Sequence, residues 1–432
     1  MDLDPSRRSA LPPQWVSLDG KLIILARGLR TFVQGSVSVI LAIYLDMLGF
    51  SVIQIGALIT AGFGGASVSA FVVGLFANTL GRRRLLVTFS VMTATAGVAL
   101  VTIESFPALA SIAFLCSFSG AGGAGAGPVQ ALEQASLPEA APPEKHTDLF
   151  AIYNIIATSA MAGGALAAGL PQVFHDNLGI SQIAAFKAMF LVFAAFNLLA
   201  GLCFALLSPA VEVSVSGQRW SNPLKLPSRR LIFTLSGLFS VDHFAGGLII
   251  QSLVSLWFFT RFGVELRSIA LVFFGSHVLS AVSLWVAAKL ANRIGLINTM
   301  VFTHIPANLL LIAVPLVPVA WMAVALWLAR SALGMMDVPT RQSYTMAVVG
   351  PEERVAMASI NTVSRSITVT ASPSVATLLW SAASAAVPFV ATGVLKIGYD
   401  VALYAMFRNV KTPEEERRKE RSSEKNRREA GA

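Results

Sequence analysis

The chain has 432 residues, 55% of them hydrophobic and only 13% charged, with a formal net charge of +9 and a mean hydropathy of +0.69. Soluble globular domains carry roughly 25% charged residues, and here 6 charges lie in residues 1–21 and 15 in residues 408–432, leaving 34 for the 386 between. Too little polar surface remains to wrap a soluble core, which excludes a soluble enzyme, a disordered chain and a nucleic-acid binder and makes lipid the solvent.

Residues 1–21 read as a polar, Pro-rich cytoplasmic segment. They lack the apolar core and small-residue cleavage site of a cleaved signal peptide, so the first apolar run is expected to serve as an uncleaved anchor. A membrane helix needs about 20 mostly apolar residues to cross about 30 Å. Twelve such runs follow, near 22–47, 53–77, 85–104, 107–131, 148–174, 183–208, 229–260, 267–291, 296–317, 319–347, 355–380 and 383–407. No barrel-like alternation occurs, so the runs are expected to be helices, which satisfy their own backbone in lipid. The predicted architecture is an all-α membrane protein: an N-terminal six-helix half over 22–208, a central cytoplasmic loop over 209–228, and a C-terminal six-helix half over 229–407. The tail, 408–432, has nine basic and six acidic residues and reads as a solvated segment touching anionic lipid. With the N-terminus inside, 23 Lys and Arg fall on inner segments and three (Lys187, Arg261 and Arg267) outside. The positive-inside rule then makes both termini cytoplasmic and the protein a multi-pass component of the cytoplasmic (inner) membrane. Cys116 and Cys203 lie in apolar runs, with neither disulfide nor zinc spacing, and read as small buried hydrophobes.

The two halves repeat one another. An offset of 214 takes Asn78 and Gly81 to Asn292 and Gly295, Gly49 to Gly263 and Ile55 to Ile269. Leu137-Pro138-Glu139 resembles Gly350-Pro351-Glu352 with a small slip. Halves of the same topology around a midplane site are an architecture of secondary transporters. The turn after the second run reads Gly74-x-x-x-Asn78-x-x-Gly81-Arg82-Arg83. It resembles the loop motif Gly-x-x-x-Asp-Arg-x-Gly-Arg-Arg of the major facilitator superfamily, and the chain resembles that family over essentially its full length. The resemblance implies alternating access, a cavity lined by spans 1, 4, 7 and 10, and a loop latch. Asn78 and Thr79 stand where the family has Asp and Arg, which weakens the charged latch. In the second half, Asn292, Arg293 and Gly295 occupy the corresponding turn. The fifth span has Gly163-Gly164 and Gly169-Leu170-Pro171 rather than the antiporter arrangement of many drug exporters.

A charge at mid-bilayer costs a few kcal/mol, so each one is a site candidate. Asp242 lies about 13 residues into span 7, roughly 20 Å deep. It reads either as a proton-carrying carboxylate or as the partner of an Arg on another helix; His243, which follows it, is a candidate for the solute cavity, with packing as the alternative. Span 10 carries Arg330, Gly334, Asp337 and Arg341 on one face, with Asp337 and Arg341 able to pair at i,i+4 and Pro339 able to kink the helix. Arg330 is a candidate for holding a carboxylate or phosphate of a solute; Arg341 reads as a brace of the inner gate. Span 1 shows Arg27, Arg30, Gln34 and Ser38 on one stripe. Arg27 is expected to snorkel, Arg30 and Gln34 to reach the cavity, and Arg30 to pair with Asp242. Glu133, near the inner end of span 4, is a gate candidate, and the Gly-rich run 120–127 reads as close helix packing. Asp337 and His277 are further proton-coupling candidates, whereas His304 reads as packing. Arg365 with Asn361 and Lys396 with Asp400 read as local i,i+4 pairs. Tyr44, Trp257, Trp327 and Tyr344 could stack on a planar solute.

These residues point to a secondary active transporter that moves a small polar or anionic organic solute, coupled to protons. Nutrient or vitamin-like uptake is the leading direction and multidrug or metabolite efflux by proton antiport the alternative. A sensor that does not transport would tend to lose the buried charges. No metal-ligand set, nucleophile constellation or Walker loop is found, so no enzyme activity, metal or cofactor is expected. The expected partners are the solute, protons and membrane lipids, with no nucleic acid, and the expected state is a monomer.

Overall fold

A computed structural model describes residues 15–118, 127–212, 227–350 and 353–408. The N-terminal segment to residue 14, most of the central loop, the tail from residue 409 and nearly all of the Gly-rich run 120–127 lie outside the described residues, as do the side chains of Asn78 and Asn292. The described chain forms sixteen α-helices: α1 (Leu18–Met47), α2 (Val52–Leu80), α3 (Arg82–Thr102), α4 (Phe106–Leu115), α5 (Pro128–Ser136), α6 (His146–Ala167), α7 (Leu170–Leu178), α8 (Gln182–Ala205), α9 (Arg229–Leu248), α10 (Gln251–Phe262), α11 (Leu266–Ile294), α12 (Leu296–Ala313), α13 (Ala320–Leu333), α14 (Asp337–Ala347), α15 (Arg354–Ala382) and α16 (Val387–Phe407).

Among the described residues, ten helical segments are long and apolar enough to cross a membrane, against twelve expected. The fourth expected run appears as α4 and α5, the first of them only 10 residues long. The eleventh appears as α15, which has 29 residues but is rich in hydroxyls. Those hydroxyls turn back onto their own helix, as with Thr362 to the Ala358 carbonyl at 2.8 Å and Thr370 to that of Ser366 at 2.7 Å. Back-bonding of this kind satisfies a polar side chain without water.

Three expected continuous spans are broken. α6 gives way to α7 at Ala168–Gly169, α9 to α10 at Ile249–Ile250, and α13 to α14 at residues 334–336. The expected kink at Pro339 is displaced to Gly334–Met336. Pro339 instead sits in the first turn of α14, where a missing N–H removes no helical bond.

The chain divides into two compact units, Met1–Gly217 with Glu265–Leu271, and Gln218–Val264 with Val272–Ala432. In the first unit α1 packs on α6 and α8, α3 on α8, and α2 on α4. The α1–α6 crossing is so close that a Cβ on Gly35 would strike the Met161 carbonyl, and one on Gly164 that of Phe32. In the second unit α9 packs on α15 and α16, and α12 on α13, α14 and α16. Its core gathers Ile232, Phe239, Met300, Tyr344, Tyr399 and Leu403.

The repeat is written in the backbone. Gly49 and its counterpart Gly263 have φ of +86° and +62°, and Gly81 and Gly295 have +86° and +90°. α2 and α11 are both 29 residues long at the same offset of 214. On the expected inner side of the second unit, the Glu353 carboxylate accepts from the Ser228 N–H at 3.0 Å, next to the start of α9. The hydrogen bonds from the Ser228 side chain and backbone hold this carboxyl below its ordinary pKa.

Gly81→Ala and Gly295→Ala are each expected to destabilise the protein by about 1–3 kcal/mol, because both positions need a conformation that non-Gly residues adopt only with strain. Gly74→Ala, where a Cβ meets open space inside α2, is expected to hold or raise stability, since Ala suits a helix interior better than Gly, and thermal unfolding in detergent checks the difference. A depressed carboxyl pKa contributes stability above the ordinary Glu range that is lost as pH falls through the depressed value. Glu353→Gln is therefore expected to flatten the acid limb of a stability–pH profile.

Candidate functional site: two buried ion-pair clusters

Among the described residues, the first unit holds one fully buried carboxylate, Glu133 on α5. Arg30 of α1 donates to its Oε1 at 2.6 Å, and the Tyr153 hydroxyl of α6 donates to its Oε2 at 2.7 Å. Arg27, one turn before Arg30, stands 3.7 Å from Oε2 and 5.0 Å over the Tyr153 ring. Arg27 thus turns inward instead of snorkelling, because a buried carboxylate is the better partner for a cation on that stripe. Three helices, α1, α5 and α6, meet on a single carboxylate. Gln34, two turns from Arg27, is partly exposed.

The second unit holds a larger cluster around Asp242 of α9, which is 3% exposed. Lys396 of α16 reaches Oδ1 at 2.5 Å, and Arg341 of α14 donates to Oδ2 at 2.6 Å. Arg341 also meets Asp337 at 3.5 Å, the expected i,i+4 contact. His304 of α12 lies with Nδ1 3.0 Å from both oxygens of Asp400 on α16, and with Nε2 4.0 Å from Asp242. His243 Nδ1 is also 4.0 Å from Asp242. The Arg341 guanidinium rests 5.5 Å above the Phe239 ring, a polarisable wall suited to a cation.

Several expected pairings are replaced. Arg30 takes Glu133, a carboxylate of its own unit, and Asp242 takes Arg341 and Lys396, so the expected Arg30–Asp242 pair does not form. Lys396 and Asp400 share a helix face but do not pair; one goes to Asp242 and the other to His304. Arg365 and Asn361 also fail to pair, since Arg365 Nε and Asn361 Oδ1 are both buried without a hydrogen-bond partner. His304 is a cluster member rather than a packing residue. The signal for Lys396 and His304 was in the sequence, as titratable groups at membrane depth, but i,i+4 spacing suggested a local partner for the lysine. His277 on α11 stands apart: its Nε2 is buried without a partner, and among the described residues it joins no ion pair. Arg330 on α13 lies 4.9 Å over the Trp327 ring. Tyr44, Trp257 and Tyr344 are fully buried. The Tyr44 hydroxyl is committed to the Leu100 carbonyl at 2.6 Å, and Trp257 packs against Phe258, Phe262 and Phe389.

The turn between α2 and α3 is held by a residue that the sequence reading missed, Glu212. Its carboxylate accepts from the backbone N–H groups of Arg82 at 2.7 Å and Arg83 at 3.0 Å, a helix N-terminus suited to an anion. The two arginines cap helix C-termini in return. Arg82 donates to the Ala135 carbonyl of α5 at 3.1 Å and Arg83 to the Ala205 carbonyl of α8. Gly81 is required here by its φ of +86°, and a Cβ would also sit 3.0 Å from Glu212 Oε1. Gly74 faces open space, and in the corresponding second-half turn Gly295 starts α12 while Arg293 is exposed in the last turn of α11.

Residues 23–373 match the family model described as Major Facilitator Superfamily. An uncharacterized membrane protein of Saccharomyces cerevisiae is 20% identical over 429 residues, covering 91% of this chain and 95% of that protein. Among solved structures, a bacterial homolog of the human lysosomal transporter Spinster, inward-facing and unoccupied, is similar with a TM-score of 0.68 at 15% identity, over 91% of this chain and 97% of that one. The nucleoside transporter NupG is similar with a TM-score of 0.70 at 13% identity, over 90% and 99%. A D-xylose-proton symporter is similar with a TM-score of 0.67 at 12% identity, over 89% and 96%. At such identities the structural likeness is one of fold.

Removing one partner of a buried ion pair costs about 3–5 kcal/mol, because the other charge stays behind. Glu133→Gln, which strands Arg27 and Arg30, is expected to lower stability on that scale. Tyr153→Phe, which removes one hydrogen bond to a charged group, is expected to cost about 1.5–3 kcal/mol. Thermal unfolding of the two variants side by side checks the order.

Proposed function

The chain belongs to the major facilitator superfamily, with the fold of its multi-pass membrane transporters, and from that premise we propose that it is a proton-coupled secondary transporter of a small polar or anionic organic solute. The observation that carries this reading is the double engagement of Asp242, one oxygen by Lys396 of α16 and the other by Arg341 of α14. A carboxylate held this way accepts a proton only by loosening one of its cations. Protonation therefore becomes a change in which helices α9 holds, the differential contact that an alternating-access cycle requires. The His304–Asp400 dyad, 4.0 Å away through Nε2, supplies a neighbouring place for the proton. Two carboxyls, Asp242 and Asp337, pair with two fixed cations, Arg341 and Lys396, and a third, Asp400, pairs with His304. His243 and His304 complete the set, and Arg365 of α15 and the Tyr399 hydroxyl are further polar groups beside it.

A D-xylose-proton symporter among the similar structures agrees with coupling to protons, and uptake is the direction we favour from the sequence. In this reading α4 with α5 forms a fourth span and α15 an eleventh, for twelve in all. The basic residues of the inner segments hold both termini on the cytoplasmic side of the inner membrane, and the protein works as a monomer. Glu133 and Arg341 brace the inner ends of their halves, and the Glu212-bound loop joins α3 to α5 and α8.

Proteoliposomes loaded with a pH-sensitive dye test the proposal against a panel of sugars, nucleosides and carboxylates. A transported solute is expected to move protons with it, and collapsing the pH gradient to slow its accumulation. Asp242→Asn is expected to abolish solute-driven proton movement while counterflow of the solute persists. Accumulation indifferent to the gradient, or proton movement intact in Asp242→Asn, overturns it.

A further inference from the structure

Arg330 is a half-buried charge outside the ion pairs, as is Arg365; unlike Arg365, it lies away from the Asp242 cluster and beside a second unmatched donor. It lies in the last turn of α13, ten residues after Ala320 and so about 15 Å along the helix, next to the break at residues 334–336. Asp337, the nearest carboxylate in sequence, is committed to Arg341, and among the described residues no carboxylate comes within ion-pair distance of Arg330. Its guanidinium lies over the Trp327 ring at 4.9 Å, and Phe273 of α11 meets that ring edge-on at 6.0 Å. Two donors in this one place lack acceptors: Arg330 Nε and Trp327 Nε1 are both buried and make no hydrogen bond. The neighbouring hydroxyls are satisfied, Ser331 with Ser276 at 2.6 Å and with the Trp327 carbonyl at 2.9 Å.

A cation in a helix's last turn is favoured by the carbonyl ends. That accounts for the sign of the charge but not for two buried N–H groups without an acceptor. Buried donors left unmatched are costly, and an anionic acceptor is the chemistry that would match such donors. We propose that Arg330 and Trp327 form the subsite for the anionic group of the transported solute, a carboxylate or a phosphate held by the guanidinium fork and the indole N–H. The proposal rests on the transporter reading but not on its proton coupling.

The test is binding to the detergent-purified full-length protein, read as a saturable rise in unfolding temperature, since a ligand that binds the folded state stabilises it. The probes are succinate, benzoate and inorganic phosphate, with succinamide and benzamide as neutral controls. At least one anion is expected to raise the unfolding temperature where its amide does not, with phosphate alone or the carboxylates alone telling the two chemistries apart. Arg330→Gln is expected to weaken half-saturation about tenfold or more, the loss of a charge-assisted contact. Arg330→Lys keeps the charge but not the fork and is expected to fall between, which separates loss of the site from loss of the fold. Trp327→Phe, which removes the indole donor and shrinks the ring but keeps the Arg330 fork, is expected to weaken binding less than Arg330→Gln. The idea is overturned if no anion stabilises the wild-type protein, if Arg330→Gln binds as tightly as wild type, or if Arg365→Gln abolishes the shift and Arg330→Gln does not. The measurement needs no pH gradient, so a failure of proton coupling leaves its outcome unchanged.

Discussion

A charge carried away from water is held best by a counter-charge within the protein, and in a chain this apolar few groups are available. Glu133 answers Arg27 and Arg30, while Asp242 answers Arg341 and Lys396. In the first unit the cations lie on α1 and the carboxylate on α5. In the second the carboxylate lies on α9 and one of its cations on α14. The 214-residue offset carries α1 onto residues 232–261, within α9 and α10, so corresponding helices bear charges of opposite sign. Each unit thus ties the helix at its start to one near its middle by an electrostatic contact, and the polarity of that contact is reversed between them.

Helix ends do the rest of the positioning. The two left-handed glycines of each repeat let the chain reverse at the same places, before α2 and α11 and before α3 and α12. At the first unit's turn, a carboxylate caps a helix N-terminus while two arginines cap C-termini, so Glu212, Arg82 and Arg83 satisfy backbone groups that no intrahelical bond could reach. Breaks at Ile249–Ile250 and Gly334–Met336 leave further helix ends inside long apolar segments, Arg330 lies beside one of them, and discontinuous helices of this kind are where transporters build binding sites.

The sites were partly legible from depth alone. Asp242, Arg30, Arg330, Glu133 and Arg341 stand out because so few charges interrupt the apolar runs. Their partners were not legible. Lys396 has Asp400 at i+4 and His304 lies in an ordinary apolar run, so nothing local directs either toward Asp242. Glu212 carries no depth signal, since it lies beyond the last helix of its half and acts through backbone N–H groups 129–130 residues away in sequence. Pro339 misplaced the kink because a proline at the start of a helix and one within it look alike until the helix boundary is known.

Composition and periodicity were enough to set the solvent, the helical class, the repeat and its glycine hinges, because these depend on residues close in sequence or on sums over the whole chain. The tertiary structure decided which cation meets which carboxylate. A long Arg or Lys side chain can reach several helices, and the choice falls to whichever buried carboxylate the packing of α1 on α6, or of α9 on α16, brings within 3 Å.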